Sequence, residues 1–229
     1  MMPTCFSPRD VCAYRVATLT ASGAPRTGAG NGYTGKLVQV VATPQVDAGD
    51  DQIQRDGCGD ICAFVRDCPT FTGMDLEVTL CDLDTQALVL MLDAIGITET
   101  PSSDLFGLKM DSVTAGCQRP TSFEWWVKAW DGGVQAEPDS TGNQPAYFHF
   151  VVPWVYWGLG PMTHAKGIQL TTVTGKGQEN INITSNGPFN DWPSEVALVD
   201  GINTGFGWWM DAALPAISCA TITVSSAAS

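Results

Sequence analysis

The side chains able to do chemistry are few and scattered. Asp75 and Glu77 stand two residues apart, and paired carboxylates can share acid and nucleophile or base roles in glycoside hydrolysis. They also fall in an alternating stretch, where two acids at i and i+2 are the wet face of a strand. Of the two histidines, His149 sits inside the apolar run Tyr147-Phe-His-Phe-Val-Val-Pro-Trp154, and His164 follows Pro161-Met-Thr in a loop. A lone imidazole in an apolar strand reads as a packed, hydrogen-bonded residue before it reads as a catalytic base. The chain contains no Gly-x-Ser-x-Gly elbow, no His-Glu-x-x-His and no dinucleotide fingerprint. No catalytic residue, metal site or cofactor is expected.

The remaining candidates each carry a plainer reading. Eight cysteines occur, at Cys5, Cys12, Cys58, Cys62, Cys68, Cys81, Cys117 and Cys219. The C-x3-C-x5-C spacing of the middle three is no standard zinc pattern. The N-terminus has no apolar core of a signal peptide, so the protein is expected to be made in the cytoplasm. Free thiols are the first reading there; disulfides formed after release and a metal site are the alternatives. The acids of Asp47-Ala-Gly-Asp-Asp51 lack the ordered spacing of a calcium loop and read as a solvated turn. The glycine-rich Ala21–Gly35 lacks the Gly-Lys-Ser/Thr of a phosphate cradle. Eight tryptophans could stack sugar rings, with Trp125, Trp126, Trp130, Trp208 and Trp209 as candidates, but core and subunit contact is the plainer role.

The elements that must position these residues are almost all strands. Met74, Leu76, Val78 and Leu80 alternate with Asp75, Glu77 and Thr79, the period of a strand with one buried face. The period then changes. Leu88, Met91, Leu92 and Ile95 predict one short helix over residues 84–95, capped by Asp82 or Asp84 and stopped at Gly96. Further strands are expected at Val11–Leu19, Lys36–Thr43 (closed by Pro44), Asp60–Arg66, Phe123–Trp130, Tyr147–Trp154 and Ile168–Thr174. Turns are expected at 157–161 and 175–180. Residues 1–10 read as an extended arm and 21–35 as a long inter-strand loop. No linker divides the 229 residues, so a single β-domain is expected. No run approaches the length of a membrane helix, and no membrane insertion is expected. A formal charge of −13 disfavours any grip on nucleic acid.

The order of these parts resembles the major tail tube protein of long-tailed phages, particularly those infecting actinobacteria. The likeness rests on the first strand, the loop around Gly23-Ala-Pro-Arg26, the Lys36–Thr43 strand, the acidic turn Val46–Asp51 and Gly59-Asp-Ile-Cys62. It continues through Phe71–Cys81 into a helix and, later, Gly187-Pro-Phe189 with Trp192. The resemblance implies an antiparallel β-sandwich or barrel with a flanking helix, in a non-enzymatic virion protein. Six copies would form a ring, and rings would stack into a tube. The tape-measure protein and genomic DNA would pass through it without specific binding, and terminator and distal tail proteins would meet its ends. Under this likeness Asp75 and Glu77 are candidates for the lumen, with the outer surface as the competing location. Gly23, Pro25, Arg26, Gly30 and Tyr33 are candidates for contacts between rings. The alternative is a β-sandwich carbohydrate-binding or adhesin module, for instance at a tail tip, which should expose the tryptophans beside a polar cleft.

Overall fold

The computed structural model describes residues 6–49, 52–55, 58, 61–65, 68–81, 84–98, 105–110, 119–131, 134–135, 146–160, 170–183, 187–193, 205–211, 213–215 and 221–224. Their strands are β1 (Phe6–Thr18), β2 (Gly28–Gly35), β3 (Leu37–Asp47), β4 (Gln52–Arg55), β5 (Ile61–Val65) and β6 (Thr70–Leu80). After helix α1 (Thr85–Leu92) come β7 (Ile95–Thr98), β8 (Leu105–Lys109), β9 (Thr121–Asp131), β10 (Val134–Gln135), β11 (Tyr147–Leu159), β12 (Thr171–Gln178), β13 (Gly207–Asp211) and β14 (Thr221–Val224). The fold is mainly β with one short helix.

A ten-stranded antiparallel sheet runs β14-β2-β1-β9-β11-β12-β6-β3, with β10 beside β9 and β13 beside the first half of β11. The pairs β4–β5 and β7–β8 stand apart as small antiparallel ladders. No sheet among the described residues closes into a barrel. The chain crosses from one flank of the large sheet to the other in a single residue, Lys36, between β2 and β3; the Cys81 amide donates to the Lys36 carbonyl at 3.4 Å.

The alternation of β6 holds residue by residue: Met74, Leu76, Val78 and Leu80 are buried, while Asp75 and Glu77 are exposed. They join Tyr14, Val16, Phe123, Trp125, Val127, Phe148, Val152 and Trp157 in the principal core, onto which α1 presses Ala87, Leu88, Met91 and Leu92. Asp84 is the N-cap, its Oδ1 accepting from the Gln86 and Ala87 amides at 3.1 and 3.3 Å. Its other oxygen accepts from the buried Tyr33 hydroxyl. The helix stops earlier than Gly96. Asp93 adopts the left-handed conformation (φ 50), which a short polar side chain tolerates. Ile95 therefore leaves the helix and enters β7, where it is exposed.

Other departures share one cause: glycine and proline end strands only where their missing groups are needed. Pro44 does not close β3, because β3 is an edge strand and an outward N–H is dispensable there. Residues 6–10 are not a free arm but the start of β1, paired with β9; Pro8 falls where β2 no longer flanks β1. The expected long loop shrinks to residues 20–27, because Gly28–Gly35 alternates glycine with larger residues and pairs with β1. Strand β12 continues through Gly175 and Gly177, where an added Cβ would meet Val155 and Trp157, and Val152, respectively. Strand β11 runs past the expected turn to Leu159, with a register shift between Val152 and Val155 that absorbs Pro153. Asp84→Ala should lower stability by about 1–2 kcal/mol, read as a reduced denaturant midpoint with unchanged slope.

Candidate functional site

Strand β9 is buried on both sides. Phe123, Trp125, Val127 and Ala129 enter the principal core, so period two turns Glu124 and Trp126 to the opposite face. On that face β1 supplies Ala13, Arg15 and Ala17, a small-charged-small pattern that leaves room for a guanidinium. Arg15 stands directly opposite Glu124 in register. Strand β11 supplies His149 and Val151. The face is roofed by Ile183, Trp192 and Trp209, which form a second, smaller core with Val151.

Glu124 is wholly buried, and four N–H groups converge on it. Arg15 Nε donates to Oε2 at 3.0 Å, and Arg15 Nη2 donates to the same oxygen. His149 Nε2 lies 3.1 Å from Oε2; an ionised carboxylate only accepts, so this nitrogen carries the hydrogen. Trp192 Nε1 donates to Oε1 at 3.0 Å. Arg15 also reaches the half-exposed Asp191, with Nη2 2.8 Å from Oδ1 and Nη1 2.7 Å from Oδ2. Its guanidinium lies 3.8 Å from the centre of the Phe189 ring and 5.1 Å from that of Trp126. His149 is stacked on Trp126 at 3.9 Å and tilted against Trp209 at 4.0 Å. Its Nδ1 is 3.6 Å from Asp211 Oδ2, too long for a hydrogen bond but close enough for attraction.

Burial alone would raise the Glu124 carboxyl. The Arg15 guanidinium and the His149 bond outweigh it and hold Glu124 below the usual range. Asp211 is likewise pushed up by burial but held down overall by His149 and the Ala213 amide. Trp126 Nε1 makes no well-formed hydrogen bond, yet it lies near enough to favour the charged Asp211. Arg15 loses by burial and gains more from Glu124 and Asp191, so it stays charged. The Arg15, Glu124 and His149 side chains are 6%, 0% and 1% exposed, so no substrate reaches them. The cluster ties β1, β9 and β11 to residues 187–193.

The open site is elsewhere. The outer face of β3, β6, β12 and β11 forms a groove of about 990 Å³ lined by Asp75, Glu77, Lys176, Tyr156, Gln45 and Thr174 among others. Gln45 Nε2 donates to Asp75 Oδ2 at 2.7 Å. Lys176 stands opposite Asp75 in register, and Thr174 opposite Glu77, so Glu77 is the acid without a basic cross-strand neighbour on β12. The two predicted acids thus share one accessible face.

The five loop candidates separate. Gly23 is buried at φ +92, and a Cβ there would lie 2.5 Å from both Asn180 Oδ1 and a Trp154 ring carbon. Tyr33 is a core residue bonded to Asp84. Pro25 bridges to Leu19. These three make contacts within the chain: Gly23 and Pro25 because the turn folds back onto β1 and β11, and Tyr33 because β2 pairs with β1. Arg26 is partly exposed, its Nε donating to the Leu19 carbonyl at 3.3 Å, and Gly30 is exposed.

Of the tryptophans, Trp125, Trp126, Trp157 and Trp192 are buried, whereas Trp208 is 56% exposed. Cys12, Cys58, Cys68 and Cys81 are free thiols. Among the described residues no three His, Cys, Asp or Glu side chains converge as metal ligands, and no helix is long and apolar enough to cross a membrane. Asp47 accepts from the Gly49 amide at 3.1 Å, as in a closed turn. His164, Asp82, Cys5, Cys117 and Cys219 lie outside the described residues.

No protein-family model matches the chain, and no curated protein matches it.

Glu124→Leu strands a buried guanidinium and should cost about 3–5 kcal/mol, while Arg15→Met with Glu124→Leu should recover most of that loss. Asp191→Asn should cost about 1 kcal/mol or less, since Asp191 is half exposed. Denaturant titration separates the three. Glu124 and Asp211 have lowered folded values, so their stabilisation is complete above the ordinary carboxylate range and is lost as pH falls through the folded values. Asp84, raised by burial, acts in the opposite sense. Unfolding midpoints should fall as pH drops through and below the ordinary carboxylate range, and Glu124→Gln should flatten that fall.

Proposed function

We propose that this chain is a structural subunit that assembles by sheet-edge addition, and that the assembly is a phage tail tube of stacked six-membered rings. The observation that carries the reading is the open end of the large sheet. Strand β3 has eleven residues, pairs on one side only among the described residues, and exposes Val38, Val41 and Val46. A long apolar edge is a template for another chain unless it is covered. Pro44 interrupts the outer ladder, so addition would use Leu37–Thr43. The outer side of residues 6–13 of β1 is also free of any described strand, which gives a second edge for a neighbouring copy. Closing such edges around a ring removes both.

The groove supports the same reading. Asp75 and Glu77 face outward beside β3, so a sheet continued through β3 would carry these acids around the inside of the ring. With a chain charge of −13, such a bore lets DNA slide without adhering. The tape-measure protein would occupy it before ejection, terminator and distal tail proteins would cap it, and the mature location would be the virion tail. Arg26, in the loop between β1 and β2, and Gly30, in β2, remain available for contacts between rings.

A second reading, a carbohydrate-binding or adhesin module, is favoured by one observation: Tyr156 and several hydrogen-bonding side chains share a single open groove.

Purified protein should form tubes of uniform width by negative-stain microscopy. Val38→Lys with Val41→Lys should leave the circular dichroism spectrum unchanged and abolish the tubes. A wild-type chain that stays monomeric at high concentration and binds glycans on an array would sink the tube reading in favour of the second.

A further inference from the structure

We propose that residues Gly187–Pro193 form an acid-released clamp: a segment latched over the second face of the large sheet by one buried carboxylate, Glu124, and let go when that carboxylate is protonated. This inference rests on the buried cluster alone and is independent of the assembly proposed above.

The latch is concentrated. Three side chains of the segment engage the Arg15–Glu124 pair: Phe189 covers the guanidinium, Asp191 pairs with it, and Trp192 donates to Glu124. The segment is shaped to do so. Gly187 has φ +70, and a Cβ there would lie 2.3 Å from a Trp192 ring carbon; Asn190 is also left-handed, at φ 59. Among the described residues, the charged groups facing the latch are Arg15 from β1, Glu124 from β9, His149 from β11, Asp211 from β13 and Asp191 from the segment itself.

Protonation reverses the hydrogen-bond logic at Glu124. A carboxylate accepts all four converging N–H groups. A carboxylic acid places an O–H donor among them and removes the charge that holds Arg15. Arg15 keeps Asp191 only while that half-exposed acid is ionised. A proton on His149 Nδ1 would face Asp211 and tighten β11 against β13, so histidine protonation does not release the segment. Release is local because, among the described residues, the buried charged side chains Arg15, Glu124 and His149 all belong to the second face. Acid therefore undermines the smaller core of Val151, Ile183 and Trp192 and leaves the larger one intact.

Two buried indole N–H groups report on the two cores separately. Trp192 Nε1 donates to Glu124, and Trp157 Nε1 donates to Thr121 Oγ1 at 2.7 Å. In 15N-labelled full-length protein, acid titration should expose the Trp192 indole N–H to exchange while that of Trp157 stays protected. Glu124→Gln should expose Trp192 at neutral pH with Trp157 still protected. Should that variant fail to fold, Asp191→Asn serves instead, and it should move the Trp192 transition to higher pH by about one unit or less, as loss of a half-exposed ion pair allows. Loss of both indole signals at one pH, or an Asp191→Asn transition that does not move, would each overturn the clamp.

Discussion

A strand buried on both faces cannot carry a charge on either unless that charge is answered within the fold, and β9 carries Glu124. One side of β9 is spent on Phe123, Trp125 and Val127. On the other, an unpaired carboxylate would be costly to desolvate. Arg15 answers the charge and needs covering in turn. Phe189, Asp191 and Trp192 cover it, and this binds a segment from late in the chain to a strand at its beginning. His149 ties β11 into the same point. The arrangement is a poor source of net stability compared with well-packed apolar residues. What it supplies is direction: Asp191 answers Arg15 and Trp192 answers Glu124 from the same short segment.

The same logic separates what was legible in the sequence from what was not. The β6 alternation and the Asp84 cap follow from local chemistry, so period and capping reveal them. Glu124 is hidden because its partners lie 109 and 68 residues away, at Arg15 and Trp192; no local pattern encodes such a separation. A signal did exist. An acid flanked by Phe123 and Trp125 within a doubly apolar strand requires a buried base, and Ala13-Tyr-Arg15-Val-Ala17 offers one with room around it. His149 was legible as a packed residue, but not its partner. Strand β2 escaped because its glycines read as loop, although Tyr33 and Gly35 face Tyr14, whose ring would meet a Cβ on Gly35 at 2.8 Å. Pro44 reads as a terminator only if β3 is taken for an interior strand.

The edges and the cluster lie at different places in the sheet. Strand β3 ends the path four strands from β9, while Arg15, Glu124 and His149 occupy three adjacent strands near its middle. Their chemistry differs accordingly. The edge offers unpaired backbone and exposed valine, which associate without regard to protonation. The cluster is enclosed and charged, and responds to little else. Association through β3 would therefore persist under mild acid that loosens residues 187–193.

That separation bears on how a fold of this kind is built. A fold that gains partners through an open edge risks pairing during synthesis, before its second face is covered. The cover here comes from Ile183, residues 187–193 and Trp209, late in the chain, and its anchor on β1 is made early. Until Trp192 and Asp191 arrive, Arg15 and Glu124 can satisfy each other but leave Val151 and Trp126 uncovered. Covering of that face must therefore await nearly the whole chain, whereas the β3–β6 ladder needs only the first third. The order of synthesis places the edge before the cover, and Pro44, in the middle of the edge, shortens the ladder available to a premature partner.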